Sequence, residues 1–349
     1  MGCGTYTNEE AKSFRSTRGV DPFAHTKAIA SGTIAAGLHP SLDPKKLNTV
    51  GIKIRECLDS PEHPESLAIV FGLDVTGSMS IIPRQIIDKL PIFFTALLEK
   101  GFVKHPAVCF GAIGDGNSDK APLQVTQFES DIKGFEQLAN VWLERGGGGT
   151  AAESYELFMY FMGKYSKLDC FDKRGQKGFL FIIGDELATS IAPEATRYDI
   201  KPENYNWELS KFHVRDIIGD TIESNIPFNK VLETLQEKYE VCWIYPKEAS
   251  YFIGYPQIHN HWKNVFGENY YELAKTEEFV ELVIMIIAAK LGYSLAEIAD
   301  GLTKAGASAS SIANATAALS TKVMSSTLVA TATTSGALID ASGVAPEDE

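Results

Sequence analysis

The feature that most constrains the fold is an uninterrupted run without charged or polar side chains at residues 67–73. Its length is that of a strand, and its lack of alternation is typical of a strand buried on both faces of a sheet. Further apolar runs and longer stretches with helical spacing follow in turn. The strands are predicted at residues 67–73, 107–113, 179–183 and 241–245, and the helices at residues 81–100, 135–143, 152–165, 230–239 and 277–291. This alternation predicts an α/β fold with a doubly wound, mostly parallel central sheet and helices on both faces.

Composition divides the chain into three zones. Residues 1–48 are polar, rich in Gly, Ser and Thr, and without a clear period, and they predict an N-terminal arm that packs on something larger. Residues 49–296 contain the alternating strands and helices and predict the α/β domain. Residues 297–349 form an Ala/Ser/Thr-rich C-terminal tail. The composition of the tail leaves two alternatives open, a helix of small residues that docks on a partner or a disordered segment.

The charge balance limits the partners. The chain has 32 Lys and Arg against 45 Asp and Glu, a formal net charge of −13. Nucleic acids and anionic membranes bind to a positive face, and no cluster of Lys and Arg supplies one. The longest apolar run, residues 280–289, is far shorter than the roughly 20 residues of a membrane helix. We therefore expect a cytoplasmic protein that binds neither nucleic acid nor membrane, with its scattered cysteines as reduced thiols.

A group of oxygen-bearing side chains follows the first predicted strand directly. The sequence there is Asp74-Val-Thr76-Gly-Ser78, which places one carboxylate and two hydroxyls on a loop that enters a helix. Such a loop can wrap its oxygens around one point, and hard oxygen ligands suit Mg²⁺, Mn²⁺ or Ca²⁺. Asp, Thr and Ser also cap helices, so helix capping is the alternative interpretation of this motif taken alone.

Two further segments strengthen the metal hypothesis. Four glycines, residues 146–149, precede Thr150 and place another hydroxyl on a loop before a helix, although a flexible linker is an alternative. The strand that ends at Ile183 continues into Gly184 and Asp185, a second carboxylate at the end of a strand. Doubly wound sheets bind ligands beyond the carboxyl ends of their strands, so the three loops are expected to converge. The predicted metal ligands are Asp74, Thr76, Ser78, Thr150 and Asp185.

These three elements resemble the von Willebrand factor A (VWA) domain with its metal-ion-dependent adhesion site (MIDAS). The family pattern is Asp-x-Ser-x-Ser after the first strand, a Thr on a second loop and an Asp after a later strand. Thr76 replaces the first Ser and keeps the hydroxyl, while Thr150 and Asp185 match the other two elements. The resemblance covers roughly residues 65–295 and implies a Rossmann-like VWA fold.

The resemblance also implies a function. A VWA domain binds another protein through a Mg²⁺ ion, with Mn²⁺ or Ca²⁺ as alternatives, and the partner's Asp or Glu completes the coordination of the metal. Intracellular microbial members often work beside AAA+ ATPases as substrate or partner adaptors, so an AAA+ ATPase is the partner that the resemblance implies. The expected role is interaction, not catalysis.

The competing enzyme hypothesis is a Mg²⁺-dependent phosphatase of the haloacid-dehalogenase type. Asp74 to Ser78 is similar to its nucleophile loop, and the run from Gly114 to Asp119 is similar to its acidic metal motif. Only 41 residues separate Asp74 from Asp115, which leaves too little room for the strands, the Ser/Thr and the catalytic Lys required between them. Asp115 is instead expected in a loop near the metal or in a plain turn.

A third hypothesis is a structural, self-assembling component of a virion or complex that forms a homo-oligomer through its tail. Size-exclusion chromatography with light scattering on the full chain and on residues 1–300 separates this hypothesis from a monomeric binder. His259 and His261, which alternate before Trp262, are interpreted as polar loop residues, with metal binding as the less favoured alternative.

Overall fold

A six-stranded sheet lies at the centre of the computed structural model, which describes residues 23–45, 53–77, 79, 82–99, 101–130, 133–144, 152–189, 207–249 and 254–319. The strands are β1 (Arg55–Cys57), β2 (Leu67–Asp74), β3 (Pro106–Ile113), β4 (Leu123–Val125), β5 (Ala152–Glu153), β6 (Ser166–Leu168), β7 (Gly178–Ile183), β8 (Leu187–Ala188), β9 (Glu208–Leu209), β10 (Ile226–Pro227), β11 (Tyr239–Pro246) and β12 (Tyr270–Leu273). The central sheet has the order β12-β11-β7-β2-β3-β4. Every neighbouring pair is parallel except β3 and β4.

Helices cover both faces of this sheet. They are α1 (Ala24–Ala30), α2 (Ile82–Glu99), α3 (Lys133–Leu138), α4 (Tyr155–Tyr165), α5 (Asp169–Arg174), α6 (Lys211–His213), α7 (Phe228–Lys238), α8 (Pro256–Phe266), α9 (Phe279–Lys290), α10 (Leu295–Lys304) and α11 (residues 309–319). The α/β class and the mostly parallel central sheet predicted from the sequence are confirmed.

Adjacent residues of β2 show how the two faces are covered. The ring of Phe71 lies 5.6 Å from Phe93 of α2 and 5.7 Å from Phe279 of α9. The next residue, Gly72, faces the opposite side, where a Cβ would collide with the ring of Phe158 from α4. Because all eight residues of β2 are buried, the strand has no polar face, which explains its uninterrupted apolar sequence.

Two predicted helices differ from the observed elements. The predicted helix 152–165 begins only at Tyr155, because residues 152–153 pair with β8 as strand β5. The predicted helix 135–143 ends at Leu138, and the chain beyond it is hydrogen-bonded to Gln124 instead of continuing the helix. The Gln124 side chain accepts from the Trp142 N–H at 2.9 Å and donates to the Trp142 carbonyl at 2.7 Å.

Helix α2 contains Pro91 yet extends without a break from Ile82 to Glu99. A proline in a helix interior costs about 3 kcal/mol, mainly through a lost hydrogen bond and a steric clash. Phe93 and Leu97 of the same helix are fully buried, and burial of such side chains contributes roughly 1.5–3 kcal/mol each. Packing on the sheet therefore offsets the local cost.

The described part of the N-terminal arm packs on the α/β domain. Phe23 is buried, and its N–H donates to the Leu138 carbonyl at 3.3 Å. The Thr26 hydroxyl donates to the Val141 carbonyl at 2.9 Å.

Ordered structure continues past residue 296, where the sequence predicts the start of the tail. Helix α10 begins at Leu295 and buries Ile298 and Leu302 against α2 and α9. Asn314 of α11 donates to Glu278 at 2.6 Å. Residues 320–349 lie outside the described residues.

No helix in the described parts of the chain is both long enough and apolar enough to cross a membrane. Cys57, Cys109, Cys170 and Cys242 are buried free thiols.

Candidate metal site at the carboxyl ends of the strands

Asp74 is the last residue of β2, and its carboxylate is bound by its own loop. Oδ1 accepts from the Thr76 backbone N–H at 2.9 Å and from the Thr76 hydroxyl at 2.6 Å. Asp74 is 1 % exposed and Thr76 is 2 % exposed, so both residues of this loop, the first loop, are buried at the edge of the core. A Thr76 hydroxyl that donates its proton to Asp74 keeps its lone pairs for a cation. Ser78, the third predicted ligand of this loop, lies outside the described residues.

Tyr155, the first residue of α4, contacts both the first loop and the aromatic side chains of β11 and α8. Its hydroxyl donates to Asp74 Oδ2 at 2.8 Å, across 81 residues of sequence. Its fully buried ring packs edge-on against Trp243, with ring centres 4.9 Å apart, and against Trp262. Aromatic spacing in the sequence indicates the packing role of Tyr155, but no sequence signal indicates the hydrogen bond to Asp74.

Asp185, the predicted ligand of the third loop, follows β7, the strand that pairs with β2. Leu73 pairs with Ile183 across β2 and β7, so the loops that follow these two strands leave the sheet side by side. A Cβ at Gly184 would collide with the Tyr155 hydroxyl, which shows how closely Tyr155 approaches this loop. Asp185 is fully buried. The structure therefore brings together the first and third predicted loops.

Two aromatic side chains hold the backbone of the third loop. The Tyr245 hydroxyl of β11 donates to the Asp185 carbonyl at 2.7 Å. Trp262 Nε1 of α8 donates to the Glu186 carbonyl at 2.8 Å. The position of Asp185 thus depends on the packing of β11 and α8 against the sheet.

Thr150 of the second loop lies outside the described residues, but the residues that follow it adjoin the site. Ala152 and Glu153 pair in parallel with Leu187 and Ala188, directly after the third loop. The Ser154 N–H donates to the Gly114 carbonyl at 3.0 Å, which joins the same segment to the loop between β3 and β4.

The loop between β3 and β4 is a hydrogen-bonded turn. Asp115 Oδ1 accepts from the Asn117 N–H at 2.9 Å, and Oδ2 accepts from the Ser118 hydroxyl at 3.0 Å. Asp119 Oδ2 accepts from the Asp115 N–H at 2.8 Å. This loop adds two more carboxylates to the same edge.

Burial and neighbouring charge act on the Asp74 carboxyl. Burial raises the pKa of Asp74 to about 6, and the charge of Asp119 adds to the increase, while the hydrogen bonds from Thr76 and Tyr155 oppose it. Burial likewise raises the pKa of the Tyr155 hydroxyl, with further increases from neighbouring carboxylates. Those carboxylates are Asp74, Glu153, Asp185 and Glu186.

These residues fit a hard divalent cation. The donors are carboxylate and hydroxyl oxygens, which Mg²⁺ prefers to nitrogen or sulfur. Among the described residues, no three or more His, Cys, Asp or Glu side chains are placed to hold one metal ion together. Asp74, Thr76 and Asp185 would thus supply only part of a coordination sphere, and water or other ligands would complete it.

His259 and His261 lie outside this site, and their interpretation as loop residues is wrong. Both belong to helix α8, because its amphipathic pattern buries Ile258, Trp262 and Phe266 against the sheet. The His261 ring stacks on Trp207 with ring centres 4.5 Å apart, and burial lowers the pKa of His261 to about 4.

No protein-family model and no curated protein matches this chain. Among solved structures, the chain is similar to a crystal structure of the pilus adhesin SpaC from Lactobacillus rhamnosus GG, with 13% sequence identity and a TM-score of 0.40. The match covers 69% of this chain and 31% of the adhesin. The open conformation of the same adhesin gives 14% identity and a TM-score of 0.39, with 69% and 30% covered. This chain spans about a third of the adhesin's length.

Proposed function

We propose that this chain is a VWA-type domain with a Rossmann-like fold that binds a partner protein through a Mg²⁺ ion. The ligands in this proposal are the side chains of Asp74, Thr76, Ser78, Thr150 and Asp185. The observation that supports it most is the convergence of Asp74, Thr76 and Asp185 at one edge of a parallel sheet, joined by Tyr155. This edge is where doubly wound sheets bind ligands.

The charge of the edge gives a second argument. The charged groups that act most strongly on Glu153 are all carboxylates: Asp74, Glu186, Asp119 and Asp115. A buried group of like charges is unfavourable unless a cation or protons neutralise it. Mg²⁺ bound at Asp74 and Asp185 supplies such a neutralising charge.

The partner follows from the coordination chemistry. A small divalent ion demands near-octahedral oxygen coordination, and the ligands proposed here leave at least one position to water. A partner's Asp or Glu can replace that water and form a charge-dense contact with demanding geometry. By resemblance to intracellular microbial VWA proteins, the proposal extends to an AAA+ ATPase as the partner and the cytoplasm as the compartment.

Metal binding is tested first, on the purified chain. Isothermal titration with Mg²⁺ measures affinity directly, and Tb³⁺ serves as a luminescent probe that Tyr155 and Trp243 can sensitise at short range. We expect Asp74→Ala to abolish both signals while the circular dichroism spectrum stays native. Asp172→Ala, at an exposed position of α5, is the matched control and should bind as the wild type does. Equal Mg²⁺ affinity in wild type and Asp74→Ala would contradict the proposed site.

Partner binding is tested by affinity capture from native lysate, read by mass spectrometry. Wild type and Asp74→Ala are each used as bait in Mg²⁺ and in EDTA. The proposal predicts a partner that is retained by wild type in Mg²⁺ and lost in the other three samples. A partner set that is indifferent to both EDTA and the substitution would contradict metal-dependent binding.

A further inference from the structure

Glu153 is a buried carboxylate next to the proposed metal site that no predicted ligand set includes. It is 2 % exposed, and its backbone is fixed by pairing with Ala188 and by the Thr189 N–H, which donates to the Glu153 carbonyl at 2.9 Å. Within the described ranges, no hydrogen-bond partner lies within reach of its Oε2 atom. A carboxylate oxygen that is buried without a partner carries a penalty of several kcal/mol as an ion.

The surroundings of Glu153 increase this penalty. Burial raises its pKa far above the ordinary value, and the carboxylates Asp74, Glu186, Asp119 and Asp115 raise it further. No lysine or arginine is among the charged groups that have the largest effect on the pKa of Glu153. The side chain is thus held among anions, in a position that a nearby cation would stabilise.

The described residues do not place Glu153 as a direct ligand of the metal ion. Among the described residues, Asp74, Asp185 and Glu153 do not form a three-carboxylate group able to hold one metal ion. Mg²⁺ gives up its waters reluctantly and usually keeps several of them, and those waters donate hydrogen bonds to groups around the site. Such outer groups orient the ligands and typically change metal affinity 10–100-fold.

We propose that Glu153 is a positioning residue of the metal site, whose buried Oε2 accepts a hydrogen bond from a water bound to Mg²⁺. This inference rests on the proposed function, because it needs Mg²⁺ at Asp74 and Asp185. It adds a carboxylate that raises Mg²⁺ affinity without touching the metal.

Glu156, three residues further along at the start of α4, offers a matched control. Glu156 is also buried, at 1 % exposed, and burial raises its pKa as well. The charged neighbour that adds to this increase is Asp115 of the β3–β4 loop. Glu156→Gln therefore relieves a similar burial penalty while the Glu153 carboxylate, on which the charge of Asp74 acts, stays unchanged.

The experiment compares wild type, Glu153→Gln and Glu156→Gln by Mg²⁺ titration and by thermal unfolding in EDTA and in Mg²⁺. Glu153→Gln should weaken Mg²⁺ binding about 10–100-fold. In EDTA, both variants should unfold at a temperature equal to or above that of wild type, because each loses a buried acidic group. Only Glu153→Gln should show a smaller stabilisation by Mg²⁺ at the same concentration, and a purely structural role cannot produce this pattern.

Glu153→Asp is the second variant and keeps the charge while it withdraws the oxygen by one methylene. It should lose less Mg²⁺ affinity than Glu153→Gln, whereas equal losses would assign the effect to packing and overturn the inference. Mg²⁺ affinity of Glu153→Gln within twofold of wild type would also overturn it, with the proposed function intact. A wild type that does not bind Mg²⁺ would overturn both.

Discussion

The aspartates at the carboxyl edge of the sheet and in the cluster around Asp59 have pKa values shifted in opposite directions. Asp59 precedes β2 and accepts hydrogen bonds from Arg174 at 2.7 Å and from the Ser66 hydroxyl at 2.9 Å. Burial alone would raise its pKa, but the hydrogen bonds from Arg174 and Ser66 outweigh it and lower the pKa to about 2. Asp74, by contrast, is bound by neutral donors and has its pKa raised to about 6.

The difference shows where the described part of the fold places a cation beside an aspartate and where it places other carboxylates instead. Asp220 repeats the first arrangement, with ion pairs to Lys53 at 2.8 Å and Lys164 at 3.0 Å. At the carboxyl edge, the strongest charged neighbours of Asp74 and Glu153 are other carboxylates. An acidic group that the protein neutralises internally stabilises the fold, whereas one left among anions is suited to a cation from outside.

Paired isosteric substitutions give the largest expected contrast in stability. Asp59→Asn should lower the free energy of unfolding by about 1–2 kcal/mol, after allowance for the partial exposure of its partners. Asp74→Asn in EDTA should leave the free energy of unfolding unchanged or raise it, because it removes a buried charge that has no cationic partner among the described residues. Urea denaturation of both variants measures this contrast, and losses of equal size would remove the distinction between the two regions.

Acid should weaken the ion pairs of Asp220 with Lys53 and Lys164 over a defined pH range. The pKa of Asp220 is about 2, because hydrogen bonds from Lys53, Tyr165 and Lys164 outweigh the opposing effect of burial. An unfolded aspartate has a pKa of about 3.9, so the contribution of Asp220 is complete above that value and is lost as the pH falls toward 2. Asp220→Asn should show a smaller decline in urea midpoint between pH 5 and pH 2 than wild type. Parallel declines in the two proteins would argue against this pairing.

Removal of the Tyr155 hydroxyl should weaken the site moderately. Tyr155→Phe keeps the buried ring and deletes the donor to Asp74 Oδ2. A hydrogen bond of this kind contributes about 1 kcal/mol, so we expect a change of several-fold in Mg²⁺ affinity. Calorimetric titration checks it, with Tyr165→Phe, far from the metal loops in the Asp220 cluster, as the control that should bind normally.

The smallest effect is expected at Thr76. Thr76→Ser keeps the hydroxyl that donates to Asp74 and should bind Mg²⁺ within about twofold of wild type, since a neutral change of one methyl leaves the donor set intact. Thr76→Val keeps the shape and removes the hydroxyl, and it should bind markedly more weakly. A large loss in Thr76→Ser would show that the threonine methyl group has a packing role in the loop.

Part of the candidate site was predictable because it is local in sequence. Asp74 and Thr76 are two residues apart, and Asp185 follows a strand that is recognisable from its apolar run. Glu153 was missed, since it lies in a stretch with helical spacing and becomes part of strand β5 only by pairing with β8. Ser78 and Thr150 lie outside the described residues, so their roles stay predictions.

The sequence alone determined the alternation of buried strands and helices, and with it the parallel sheet and the edge at which ligand groups collect. It could do so because burial on both faces of a strand leaves a contiguous apolar run that needs no knowledge of distant residues. The tertiary structure decided which side chains meet at that edge. Tyr155 reaches Asp74 across 81 residues, and the charges around Glu153 come from three separate loops. Hydrogen bonds and electrostatic interactions depend on distance in space, and the chain fixes those distances only when its strands are aligned.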